Sequence, residues 1–162
     1  MLDLLLNVLG ALAVPLLVAL NAFFVAAEFA LVTVRWTRVE QLVERGEIRG
    51  ASRCATRSRT SIDSVAASQL GITFASLALG WIGEPAIAHL LEPLFAGIPA
   101  PWGVTATHAS AIGIAFLAIT YLHVVLGEQA PKAIALERAE DVALLAAAPL
   151  LAFAACSGRS SG

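Results

Sequence analysis

Two carboxylates in this sequence sit where a charge is expensive to keep. Glu28 closes an uncharged run over residues 4–27, and Phe29, Ala30, Leu31 and Val32 follow before the next charge at Arg35. Glu128 closes another uncharged run over residues 109–127, with Lys132 four positions beyond it. An ionisable group at membrane depth costs about 3 kcal/mol on insertion scales, so its retention points to a use. The bland alternatives are a shallow position for Glu28 and a local i,i+4 ion pair with Lys132 for Glu128.

Pro131 adds to the second of these sites. A proline inside a helix withholds one amide donor and crowds the carbonyl four residues earlier. That carbonyl belongs to Gly127, next to Glu128. A freed carbonyl beside a carboxylate makes two hard oxygen ligands at a helix break, the arrangement that broken membrane helices use for small cations. The plainer reading is that Pro131 ends the span at the interface. Asn21 lies seven residues before Glu28 and shares its helix face. Gln69, Thr73 and Ser76 keep helical spacing on a second helix, and Thr120, His123 and Gly127 on a third. Single hydroxyls of this kind are ordinarily satisfied by their own backbone. The expected metal ligands are therefore Glu28, Gly127, Glu128 and Asn21. Gln69, Thr73, Ser76, His123, Pro131 and Lys132 are expected to line or shape the pathway. No residues form a nucleophile–base set, so no enzyme is expected. Cys54 and Cys156 have neither disulfide nor metal-finger spacing.

The elements that must hold these groups follow from composition. The chain is 59% hydrophobic and 14% charged, against about a quarter charged for soluble domains. With a net charge of −2, nothing invites nucleic acid. Residues 4–27, 64–83 and 109–127 lack Asp, Glu, Lys and Arg, and each approaches the ~20 residues that a membrane crossing needs. The first run is too long for a signal peptide, and Asp3 replaces the usual basic start. An all-α membrane protein with three transmembrane helices is predicted, spanning about 4–34, 64–83 and 109–130.

Seven of the ten basic residues fall between Arg35 and Arg59, and residues 84–108 have none. The positive-inside rule then places 35–62 in the cytoplasm and the N-terminus outside. Residues 35–60 read as a helix on the membrane surface, with arginines toward anionic headgroups. The outer connection is rich in Gly and Pro, which suits short helices between turns, with Trp81 and Trp102 at interfacial depth. The apolar run 142–155, split by Pro149, is short for a crossing. It reads as interfacial, re-entrant or part of a further span. Residues 156–162 form a polar tail that completes no element, as expected of a truncated longer protein. Ala22, Ala26 and Ala30, and Ala67, Gly71 and Ala75, recur every four residues, a spacing that lets helices touch closely and favours a dimer.

Four stretches carry a resemblance: Leu20-Asn-Ala-Phe-Phe-Val-Ala-Ala-Glu-Phe-Ala-Leu31, Ser68-Gln-Leu-Gly-Ile-Thr73, Gly80-Trp-Ile-Gly-Glu-Pro85 and His123-Val-Val-Leu-Gly-Glu-Gln-Ala-Pro-Lys132. In order and over nearly the whole chain, they resemble the transmembrane domain of CorC/HlyC-type transporters, the CNNM family. The resemblance implies three spans, a homodimer in the cell membrane, and short cytoplasm-facing helices after the third span. It also implies nucleotide-binding CBS modules and a small C-terminal domain, both absent here, so nucleotide would act only through those modules. The implied cargo is Mg²⁺, with Co²⁺ as a second ion, and no resident cofactor. The family's magnesium pattern has serines where this chain has Asn21, Val25 and Ala27, and asparagines where it has Ile72 and Ser76. Glu28, Gly127, Glu128, Pro131 and Lys132 keep it. Fewer oxygens suit a partly hydrated ion, or an organic polycation such as a polyamine. A membrane anchor without transport is the remaining alternative.

Overall fold

The computed structural model describes residues 2–35, 37, 41, 62–95 and 104–156, and among these residues there is no strand. The surface helix expected over 35–60, Trp102 and the tail after Cys156 lie almost wholly outside the described residues. Helix α1 covers Leu2–Thr33. Helix α2 (Ile62–Ala78) runs through a π-helical turn, Leu79–Gly83, into α3 (Glu84–Phe95). Helix α4 (Val104–Leu122) passes through a second π-helical turn, His123–Gln129, into α5 (Ala130–Glu137), and α6 covers Ala139–Cys156. Apolar backbone in a bilayer has no water to bond, so each uncharged run closes its hydrogen bonds internally as helix. Among the described residues three helical stretches are long and apolar enough to cross a membrane: Leu9–Thr33, Ser64–Leu91 and Ala109–Glu137.

The second stretch outruns the boundary expected at Gly83. Both flanks of the π turn keep right-handed helical angles, −64°/−38° at Ala78 and −59°/−52° at Glu84, so the chain does not turn there. Pro85 is tolerated because it falls in the first turn after this irregularity, where a missing amide costs least.

Helix α1 is the post on which the others lean. Val14 and Val18 pack with Leu79 and Ile119 in one cluster. Phe24 and Leu31 meet Ala67 and Leu150 in a second. Ala30 and Val34 meet Ala135 and Ala143 in a third. Helix α6 starts beside Val34 and reaches Phe24 through Leu150 and Phe153, so it runs antiparallel alongside α1. At 1.5 Å per residue that ascent covers about 15 Å.

The small-residue stripes are used within the chain. Ala67 and Ala75 are buried, as is Gly71, where an added Cβ would lie 2.6 Å from Phe24 ring atoms. That ring cannot swing away freely, because Phe153 and Phe23 hold it at centroid distances of 5.0 and 5.4 Å. Ala30 is likewise consumed against Ala135 and Ala143. Residues of both stripes thus serve intrachain packing. Gly71→Val is predicted to cost about 1–3 kcal/mol through overpacking, read as a lower unfolding temperature in detergent. Phe24→Leu in the same chain should restore part of that loss; an unchanged unfolding temperature in Gly71→Val would contradict the packing.

Candidate functional site

The three membrane-length helical stretches are tied together at one level by side-chain hydrogen bonds. Asn21 of α1 is 1% exposed, and its Nδ2 donates to the Gly127 carbonyl at 3.0 Å. Ser76 of α2 donates its Oγ–H to Asn21 Oδ1 at 3.3 Å and also lies 3.2 Å from His123 Nε2. The two bonds fix the amide's orientation, since its oxygen faces a hydroxyl and its nitrogen faces a carbonyl. Gly127 leaves no space of its own here: a Cβ would stand 3.1 Å from His123 Cδ2 and 3.2 Å from Asn21 Nδ2.

The π turn explains how a carbonyl comes to be available. The wide turn shifts hydrogen bonding to i→i+5, as in the Ala130 amide bonding to Val125 O. Pro131 has no amide to give to Gly127, and the Asn21 side chain supplies the donor instead. A carbonyl held by a neutral amide on a neighbouring helix is an oxygen that a cation could take over when that amide moves.

Next to Gly127, Glu128 is bonded to Lys132 Nζ at 2.5 Å, and the same ammonium lies 5.1 Å from the centre of the Phe29 ring. Both charged side chains are partly exposed, so the pair is accessible. Glu28 is half-buried and, among the described residues, no hydrogen bond or ion pair ties it to Gly127 or Glu128. Seven residues separate it from Asn21, about 10 Å along the helix, which sets it near the level of Phe29 rather than of Gly127. The structure thus brings Asn21, Ser76, His123 and Gly127 together, with Glu128 and Lys132 following on. Gln69 and Thr73 are exposed, and Thr73 bonds back to the Gln69 carbonyl at 2.9 Å. Among the described residues no three His, Cys, Asp or Glu side chains converge in a way that could hold a metal ion.

A cavity of about 170 Å³ opens above this brace, lined by Ser76, Gly80, Glu84, Phe116, Thr120 and His123 among others. Glu84 was not among the expected site residues. Its place after the first π turn gave no helical register with Ser76 to find it by.

Helices with polar cross-bonds at mid-span and a carboxylate beside a π turn define a multi-pass helical membrane domain built around an internal polar site. Residues 12–157 match the cyclin M transmembrane N-terminal domain, and the chain belongs to this CNNM family. It is 48% identical over 141 residues to UPF0053 protein YhdT of Bacillus subtilis, covering 86% of this chain and 30% of that protein. UPF0053 protein YugS of the same organism is 42% identical over 149 residues, 90% of this chain and 33% of that protein. Uncharacterized protein Rv1841c of Mycobacterium tuberculosis is 39% identical over 149 residues, 91% of this chain and 41% of that protein. The chain thus spans about a third of the length of the curated relatives it matches.

Proposed function

We propose that this domain is the membrane pathway of a divalent-cation transporter, with Mg²⁺ as cargo and Co²⁺ as a secondary ion. The observation that carries it is the Gly127 carbonyl, held by Asn21 at 3.0 Å and adjacent to the Glu128 carboxylate. A cation arriving at this level displaces two weak holders, the Asn21 amide and the Lys132 ammonium, and gains two oxygens of high charge density. Mg²⁺ keeps several waters when bound through one or two carboxylates, so a sparse set of protein oxygens suits it. The domain works in the cell membrane as a homodimer and moves ions without catalysing a reaction.

A second reading has its own support. Glu128 and the Phe29 ring together already hold one primary ammonium, that of Lys132. A carboxylate over an aromatic face is also how an alkylammonium is recognised, which favours an organic polycation. Reconstituting the full-length protein in liposomes separates the readings. Flux of Mg²⁺ without flux of putrescine or cadaverine is the expected result. Flux of the diamines alone would transfer the assignment to polyamines, and flux of neither would leave a membrane anchor.

A further inference from the structure

The cavity above the Asn21 brace has a direction and a charge, and the proposed function uses neither. From α2 through the first π turn into α3 its lining rises from Ser76 through Leu79 and Gly80 to Glu84; from α4 into the second π turn it descends from Phe116 through Ile119 and Thr120 to His123. Eight residues at 1.5 Å each make it about 12 Å deep. Ser76 and His123, 3.2 Å apart, line its inner end, and Glu84 and Phe116 line its outer end. The inner-end residues are also members of the brace that ends on Gly127, so the cavity and the Glu128 site are stacked on one axis with the brace between them. Helix α4 packs on α3 and, more lightly, on the first π turn.

Its chemistry is that of a cation holder. Among the described residues no ion pair or hydrogen bond occupies the half-buried Glu84 carboxylate. Two hydroxyls, from Ser76 and Thr120, and one imidazole line the rest of the polar wall, and among the described residues no Lys or Arg lines it. A water needs roughly 10–15 Å³ of such volume, so the cavity has room for an ion with much of its hydration shell. One carboxylate at the outer end of a low-dielectric recess concentrates cations there without stripping them.

We propose that this cavity is the outer vestibule of the pathway, where a hydrated divalent cation is held against Glu84 before the brace opens. The inference rests on the transport reading of the Glu128 site and adds a second, weaker cation site to it. Helix α3 leads toward the connection that the charge bias puts outside, so the Glu84 end of the cavity lies away from the basic side.

Cysteine accessibility tests this in the full-length protein in sealed, oriented vesicles. Thr120→Cys lies in the vestibule wall, and Leu117→Cys on the same helix is not among the residues lining it. Thr120→Cys should react with a membrane-impermeant cationic thiosulfonate added outside, roughly tenfold faster than with its anionic counterpart. External Mg²⁺ should slow that reaction, and Leu117→Cys should stay unreactive. Glu84→Gln should erase both the charge preference and the Mg²⁺ protection, while Glu84→Asp keeps them. Glu128→Gln should leave all of these readouts intact, so a failure of the transport reading shows in flux and not here. Reaction only from the inner side, or an unchanged preference in Glu84→Gln, overturns the vestibule.

Discussion

Glu128→Gln is expected to lower cation flux about a hundredfold, and Lys132→Gln is not. A contact to a charged partner contributes roughly 1.5–3 kcal/mol, and each 1.4 kcal/mol is a factor of ten. The amide keeps the shape of Glu128 and a hydrogen bond to Lys132, so a purely structural role would survive the exchange with little loss. Lys132→Gln removes the ammonium 2.5 Å from the carboxylate. If Glu128 serves the cation, that change frees a ligand: flux persists, and half-maximal flux comes at a lower ion concentration. If the two residues only stabilise the fold, both variants lose stability by the modest amount of a partly exposed pair, about 0.2–1 kcal/mol, and flux follows that loss equally. Flux measured on both variants in liposomes, beside their unfolding temperatures, decides. Equal flux in the two variants would sink the ligand role.

The three crossings were legible because charge is absent over long stretches, and that is a property of composition alone. The polar site was legible only in part, for reasons that differ by residue. Pro131 pointed to the Gly127 carbonyl because proline's missing amide is a local fact. The partner of that carbonyl was not local. Asn21 lies 106 positions away, and on the sequence it was grouped by helical spacing with Glu28. In the structure α1 turns Asn21 fully inward and leaves Glu28 half-buried without a bonded partner among the described residues. The spacing of Gln69, Thr73 and Ser76 suggested one stripe, but only Ser76 reaches the site. A stripe at i, i+4, i+7 keeps to one side of the helix but runs about 10 Å along it, so its two ends meet different surroundings. The π turns were invisible, because no residue type demands a wide turn; inserting one shifts the register of all that follows. That shift hid Glu84. Small-residue spacing was legible as close packing: Ala67 and Gly71 meet Phe24 of α1, and Ala30 meets Ala135 and Ala143.

Gly127→Val is expected to be the most damaging single substitution at the brace. The first carbon alone would sit 3.1 Å from His123 Cδ2 and 3.2 Å from Asn21 Nδ2, tighter than ordinary contact, and the Val18 carbonyl at 3.8 Å limits retreat on that side. Pushing the Asn21 amide away breaks its bond to the carbonyl and loosens Ser76, whose acceptor is the same amide. Overpacking and a stranded buried polar group each cost about 1–3 kcal/mol, so a drop in stability of several kcal/mol and loss of flux are predicted. Gly113→Val is the control, because a Cβ there meets nothing within 4 Å. Mechanism can be separated from bulk with a milder pair. Gly127→Ala and Asn21→Ala each disturb the brace, but in the double variant the shortened residue 21 leaves room for the new methyl. The double variant should therefore be less destabilised than the sum of the singles, by about 1 kcal/mol, as contacting residues generally are. Strict additivity in thermal unfolding would mean that the amide does not press on Gly127, and that the carbonyl is held open by something other than Asn21.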